Sequence, residues 1–386
     1  MLTILLVMFL VVLVLLAALV LKWSYLVLLQ RSMKQRSDLI ALAATAALLD
    51  EDQLCDAETQ PAGDQSDDVA EAFEIANRYR RLNNCLVPHG GTLEGGDIQL
   101  SVGHLADVAG GGPVRFRPHL DSRIPLNTIR VACLKDSAGP NPAASLTRGA
   151  ASEATSAVDT ASFESTAVAA HSQATLDNLV VGFCPTRRSP SPLVPLAVGR
   201  DAWHEARCGD GNHNGIAERE LRLAISAGQN KSQAKSNSQL VAFDHSSSSM
   251  ELCRTQLLTG VAPEDLADSR GELGPATEQM PLSLTAVKIP NATAAQALAK
   301  CFNEVAASRD PRRAFCLYGS AQPGNGQVSV VGFIAAVVVG AEVDDDQLVV
   351  TVEPCYLIHP TLWTAGLDSP PQPEPNLYLH KLRLTR

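Results

Sequence analysis

The sequence predicts an α+β protein, with one long transmembrane helix at the N-terminus followed by a β-rich body that carries a few helices. Three observations lead there. Residues 4–21 form an unbroken apolar run, ILLVMFLVVLVLLAALVL, unlike anything else in the chain. From Gly90 onward, glycine-punctuated stretches alternate apolar and polar residues at a period of two. Helical spacing returns at only three later places, beginning near Asp67, Met250 and Thr293.

The apolar run comes first in the argument. Eighteen residues at about 1.5 Å rise make a rod of about 27 Å, close to the hydrocarbon thickness of a bilayer. Fifteen of them are Leu, Ile, Val or Phe, each favouring insertion by roughly 0.3 to 0.6 kcal/mol. The sum, about 4.5 to 9 kcal/mol, outweighs the roughly 3 kcal/mol that Lys22 would cost even at mid-bilayer. At the end of the run, Lys22 can snorkel to the headgroups, beside Trp23 and Tyr25, which suit the interface. Helix-compatible sequence without Gly or Pro continues to Asp50, with Leu26, Leu29, Met33, Ile40, Ala44 and Ala47 near one face. The patch Ala41 to Ala47, ALAATAA, offers a smooth surface for close helix packing. Two other readings of the segment compete. Ala44-Thr45-Ala46 has the small-x-small form of a signal cleavage site, but lies over twenty residues past the apolar run. A buried core helix does not account for eighteen uninterrupted apolar residues.

The order of these residues carries a resemblance: the apolar span, Tyr25, Gln30-Arg31, Met33-Lys34-Gln35, Ser37-Asp38, then the Ala-rich patch. It resembles the N-terminal segment of TadE/TadG-like proteins of bacterial tight-adherence (Flp) pilus assembly, over residues 10–48. Lys22 departs from that pattern, where Asp or Asn is usual. The resemblance implies an inner-membrane, single-pass anchor, an extracytoplasmic body and a pilin-like or assembly role without enzymatic activity. The implied contacts are the lipid bilayer, through residues 4–29, and the helices of other pilus-assembly proteins. Charge points the other way: Lys22, Arg31, Lys34 and Arg36 follow the span, and the positive-inside rule would keep the body in the cytoplasm. Export, as the resemblance implies, is the expectation.

Bulk properties narrow the alternatives. The net charge of −10 and pI near 5.4 argue against nucleic acid as a partner. Aromatic residues make up only 4%, too few for base-stacking platforms. The nine cysteines contain no Cys-x-x-Cys pair, so neither a zinc ribbon nor a thioredoxin-type site is indicated.

After the anchor and stalk (1–50), the acidic segment 51–66 with its Pro61-Ala62-Gly63 breaker reads as a linker. The body is placed at 67–369. It opens with a helix from Asp67 to Asn84, with Val69, Phe73, Ala76 and Tyr79 on one side. Strands follow near Ile98 to Val102, Ile124 to Leu134, Thr175 to Phe183, Leu196 to Val198, Leu221 to Ile225 and Leu240 to Phe243. Residues 136–165, rich in Ser, Ala, Thr, Gly and Pro, are expected to be a mobile insertion, and 227–249 a polar loop around the short Leu240 strand. Helices are expected at Met250 to Leu258, capped by Ser249, and at Thr293 to Ser308, with Ala294, Leu298, Cys301 and Phe302 sharing a face. Val328 to Val339 is a near-continuous apolar run, answered by Leu348 to Val352, a pair suited to a sheet centre. Residues 370–386 make a Pro-rich spacer and a terminal strand.

Candidate chemistry is sparse. In DGNHNGIAERE, Asp210, Asn212 and Asn214 take alternating oxygen-ligand positions of a calcium loop, with Gly215 at the turn and Glu218 at the ninth place. The twelfth position is Leu221, where an EF-hand has its bidentate Glu, so calcium competes with a plain Asn214-Gly215 hairpin turn. Were calcium bound, the chain would read instead as a stand-alone anchored calcium-dependent surface adhesin or binding module. Asp244-His245-Ser246-Ser247-Ser248 after a strand resembles the metal-ion-dependent adhesion site of von Willebrand A domains, although a serine run supplies that spacing by chance. His204, Cys208 and His213 fit no standard metal spacing. Ser232-x-x-Lys235 lacks the Ser-Asp-Asn and Lys-Thr-Gly partners of penicillin-binding enzymes. Gly110-Gly111-Gly112 has no following Gly-Lys-Ser/Thr, and Asp344-Asp345-Asp346 suits a hairpin turn. An enzyme is not indicated.

Overall fold

Helix α1 runs from Leu2 to Ala46, about 68 Å at 1.5 Å per residue, because nothing in its sequence interrupts it. A computed structural model of the chain describes residues 2–49, 66–83, 98–106, 115–118, 126–135, 168–207, 220–226, 236–244, 250–268, 270–319, 326–344, 347–365 and 375–385. The long apolar N-terminal helix and the β-rich body with a few helices are both present. The body is organised around two hydrophobic cores.

The first core lies between helices and one face of a six-stranded sheet. Strands β1 (Ile98–Ala106), β2 (Arg115–Pro118), β3 (Thr128–Lys135) and β4 (Val168–Asp177) pair antiparallel in the order β4-β3-β1-β2. Alternation puts Ile129, Val131 and Cys133 of β3, and Ala170, Ser172, Ala174 and Leu176 of β4, on the buried face. The second half of α1 and helix α2 (Ser66–Asn83) cover that face. Of the expected face of α2, Val69 and Ala76 do pack on this core, and the rest is corrected. Asp68, Ala72 and Ala76 point inward, while Phe73 and Tyr79 lie at the surface. Small side chains let α2 approach α1 closely, which leaves the bulky rings at the rim.

The second core belongs to a seven-stranded sheet. Its strands are β6 (Leu193–Gly199), β7 (Leu221–Ser226), β8 (Ser238–Ala242), β9 (Leu282–Val287), β10 (Arg312–Tyr318), β11 (Gln327–Asp344) and β12 (Gln347–Pro354). The ladder closes on itself through β10-β6-β8-β9-β11 and back to β10, with β12 and β7 continuing from the far half of β11. As its apolar run predicts, β11 is central, with a neighbour on both edges at Val330 and Ala336. Its acidic end is a hairpin, Asp344 pairing with Gln347. Beside this sheet lie α3 (Arg200–Arg207), α4 (Met250–Thr259) and α5 (Ala292–Ala306). Asn291 caps α5 by accepting from the Ala294 amide at 2.9 Å, and Leu298, Cys301 and Phe302 are buried, as the spacing predicts.

The chain's end ties the cores together. After β5 (Val180–Phe183) and its partner β14 (Leu362–Thr364), strand β15 (Leu379–Thr385) runs antiparallel to β4 and parallel to β13 (Leu357–Ile358). The terminal strand is therefore interior to the six-stranded sheet. Leu379 packs in the second core and Leu382 against the first. The expected insertion at 136–165 and the calcium loop lie outside the described residues, as does most of the 227–249 loop.

Candidate functional site at the junction of rod and sheet

Along α1 the environment changes abruptly. From Ile4 to Leu21 the large apolar side chains are 49 to 70% exposed, and none of this most apolar stretch is buried. The buried-core-helix reading is excluded, because such a helix spends its apolar face on its own protein. Among the described residues, one helix, at the N-terminus, is long and apolar enough to cross a membrane.

Beyond Leu28 the same helix is docked. Leu29, Met33, Ile40, Ala41, Ala44 and Leu48 recur at helical steps and are buried against the first core. The four large ones contribute about 6 to 12 kcal/mol of apolar burial, before the entropy of ordering them. The Ala-rich patch is used here. Ala41 and Ala44 are fully buried within this chain, against a β4 face of Ala170, Ser172 and Ala174. The smooth surface expected to meet foreign helices is thus largely occupied by the chain's own sheet and α2, and only Ala43, Ala46 and Ala47 of the patch's alanines keep partial exposure.

A polar clasp fixes the register. Lys34 Nζ donates to the His171 carbonyl at 2.7 Å and to the Ser172 hydroxyl at 3.0 Å. The Ser172 hydroxyl donates to Asp38 Oδ1 at 2.6 Å, and Lys34 and Asp38 pair at 2.8 Å, one helical turn apart. Ser37, fully buried, donates to the Lys34 carbonyl at 2.9 Å and touches the Ser172 hydroxyl. Thr45 bonds back to the Ala41 carbonyl at 2.7 Å. Rotating α1 by one residue would break the bonds to His171 and Ser172 and drive a larger side chain into the small-residue face of β4. The arrangement holds no paired nucleophile and base. What it does is position one end of a rod rigidly on a folded body. Ala44→Leu is expected to lower the unfolding free energy by about 1 to 3 kcal/mol through overpacking, read by denaturant titration, whereas Leu13→Ala on the bare rod leaves it unchanged.

The other sequence candidates are not assembled into a site. Asp210, Asn212, Asn214 and Glu218 fall outside the described residues, as do Cys208, His213, Ser232, Lys235 and His245 to Ser248. Asp244 sits two residues past β8, and His204 is exposed on α3. Among the described residues, no group of three or more His, Cys, Asp or Glu is placed to hold a metal. Five of the six described cysteines are buried. Burial pushes the Cys253 thiol up to about 11 and raises Cys316 as well, so these behave as apolar core groups rather than reactive thiols.

Two parts of the junction escaped the sequence reading. The clasp was signalled by Lys34 and Asp38 at a four-residue step. The β4 landing strip was signalled by small residues at alternate positions, Ala170, Ser172 and Ala174, inside a stretch too polar to stand out as a strand. Compared with known protein families, curated proteins and solved structures, the chain matches none of them.

Proposed function

We propose that this chain is a single-pass, inner-membrane-anchored, non-enzymatic component of tight-adherence (Flp) pilus biogenesis, pilin-like in build, with its body outside the cytoplasm. The observation that supports the reading best is the division of α1: a bare apolar half continuous, without a hinge residue, with a half clasped to a sheet. An independent tether would need only the span and a linker. A rigid continuation makes the span's position and rotation dictate those of the body, which is what an assembling subunit requires. The bare half is available both to lipid and to other helices, while the docked half gives up its small-residue face to its own fold.

The test is protease accessibility in spheroplasts of a bacterium carrying such a pilus system. Externally added protease is expected to degrade the body and leave a short membrane-embedded N-terminal fragment. A body protected until the cells are lysed would overturn the topology. Photo-crosslinking from Val12 is expected to give adducts with inner-membrane proteins of the pilus machinery, and adducts with lipid alone would overturn the assembly role.

A further inference from the structure

A cavity of about 350 Å³ runs along the flank of α1, lined by Ser32, Gln35, Arg36, Asp38 and Leu39. Ser32, Gln35, Arg36 and Leu39 fall on one side of the helix at three- and four-residue steps. Arg36 is 4% exposed, and its Nε and Nη2 are enclosed without any acceptor among the described residues. On a guanidinium those two nitrogens carry the parallel N–H bonds that grip both oxygens of a carboxylate or phosphate. A buried, unmatched cation is costly and calls for a counter-charge. Asp38 does not supply it: its Oδ1 takes the Lys34 ammonium at 2.8 Å and the Ser172 hydroxyl at 2.6 Å, and neither of its oxygens is bonded to Arg36 Nε or Nη2. Residues 2–49 contain no other carboxylate side chain, so the α1 of a second copy brings only an Asp38 engaged in the same way. Lipid phosphates are out of reach: Arg36 lies 15 residues past Leu21, about 22 Å along the helix, against a headgroup layer of roughly 5 to 7 Å.

We propose that this cavity is an oxyanion site, in which Arg36 holds a carboxylate or phosphate through Nε and Nη2 and Ser32 and Gln35 add donors. The group comes either from a dissolved anion or from a carboxylate side chain of a protein docked along α1. The site does not depend on the pilus reading, since its test uses the isolated chain.

The experiment is thermal unfolding of the full chain in detergent at constant ionic strength, with chloride exchanged for phosphate or for acetate. The melting temperature is expected to rise saturably by about 2 to 4 °C. The rise should vanish in Arg36→Met, shrink in Arg36→Lys, which keeps the charge without the fork, and persist in Arg31→Met at an exposed position. An equal rise in wild type and Arg36→Met, or no rise with either anion, overturns the proposal. Stoichiometric phosphate released on acid denaturation of the purified protein identifies a dissolved anion as the occupant. Its absence, together with an Arg36-dependent acetate shift, assigns the site to a protein carboxylate.

Discussion

Tyr378→Ala is expected to cost about 3 to 5 kcal/mol of unfolding free energy, the largest loss from any single truncation at the union of the two cores. Tyr378 is buried immediately before β15. Its ring meets that of Trp203 edge to face, with centroids 5.4 Å apart, and its hydroxyl accepts the Trp203 indole N–H at 2.9 Å. Truncation leaves a cavity and strands a buried donor whose indole is 2% exposed. The neighbouring backbone cannot collapse to fill the cavity, because Asn376 anchors it on both sides. Asn376 Oδ1 accepts the Tyr378 and Leu379 amides at 2.9 Å, and its Nδ2 donates to the Phe333 carbonyl of β11 at 2.7 Å. Tyr378→Phe separates the contributions: it keeps the ring and loses the acceptor, for an expected cost of about 1 to 3 kcal/mol. Chemical denaturation of the two variants and wild type checks both. A Tyr378→Ala loss below that of Tyr378→Phe would show that the ring packing carries nothing.

That union was only partly legible in the sequence, for a physical reason. Periodicity reports which residues of one element are buried, but not which element buries them. The terminal NLYLHKLRL reads correctly as a strand, yet its alternation is equally good for an edge and for the interior place it takes between β4 and β13. The same limit explains α2, where two aromatic residues outscore two alanines as a packing face although close approach to α1 selects the alanines. Elements whose own composition decides their surroundings were legible: the bare rod, the doubly buried β11 and the capped α5. Strands β9 and β10 were not: LSLTAV owes its strand state to pairing partners far away in sequence, and RRAFCLY is held between its neighbour β11 and the distant β6. At the candidate site, the docked face of α1 could be read from its helical spacing. The clasp needed the sheet to bring Ser172 to Asp38 across 134 positions.

Lowering the pH from 6.5 to 4 is expected to remove on the order of 3 kcal/mol of stability through one residue, His380 on β15. Burial pushes its imidazole down to about 4, against smaller upward pulls from the Leu377 carbonyl and the Asp177 carboxylate. Its Nε2 lies 3.1 Å from the Leu377 carbonyl, Nδ1 is enclosed without a partner among the described residues, and the ring stands edge to face against Tyr356. The folded protein therefore keeps this histidine neutral. Above pH 6.5 both folded and unfolded chains hold it neutral and the histidine adds no penalty. Below 6.5 the unfolded chain takes up a proton that the folded one refuses until about pH 4, so stability falls across that window and the loss levels off below it. His359, also held below its ordinary value mainly by burial, pulls in the same direction. His380→Leu removes the titrating group while filling an apolar site. Its unfolding free energy is expected to change less between pH 7 and 4.5 than that of wild type, by about 2 to 3 kcal/mol, in paired urea titrations at the two pH values. Parallel losses in the two proteins would mean that the acid sensitivity lies elsewhere. Because β15 joins the sheet under α1 to the second core, acid acting at His380 is expected to weaken the hold between the anchored half of the body and the rest before it disturbs the bare rod, which contains no titrating side chain from Leu2 to Leu21.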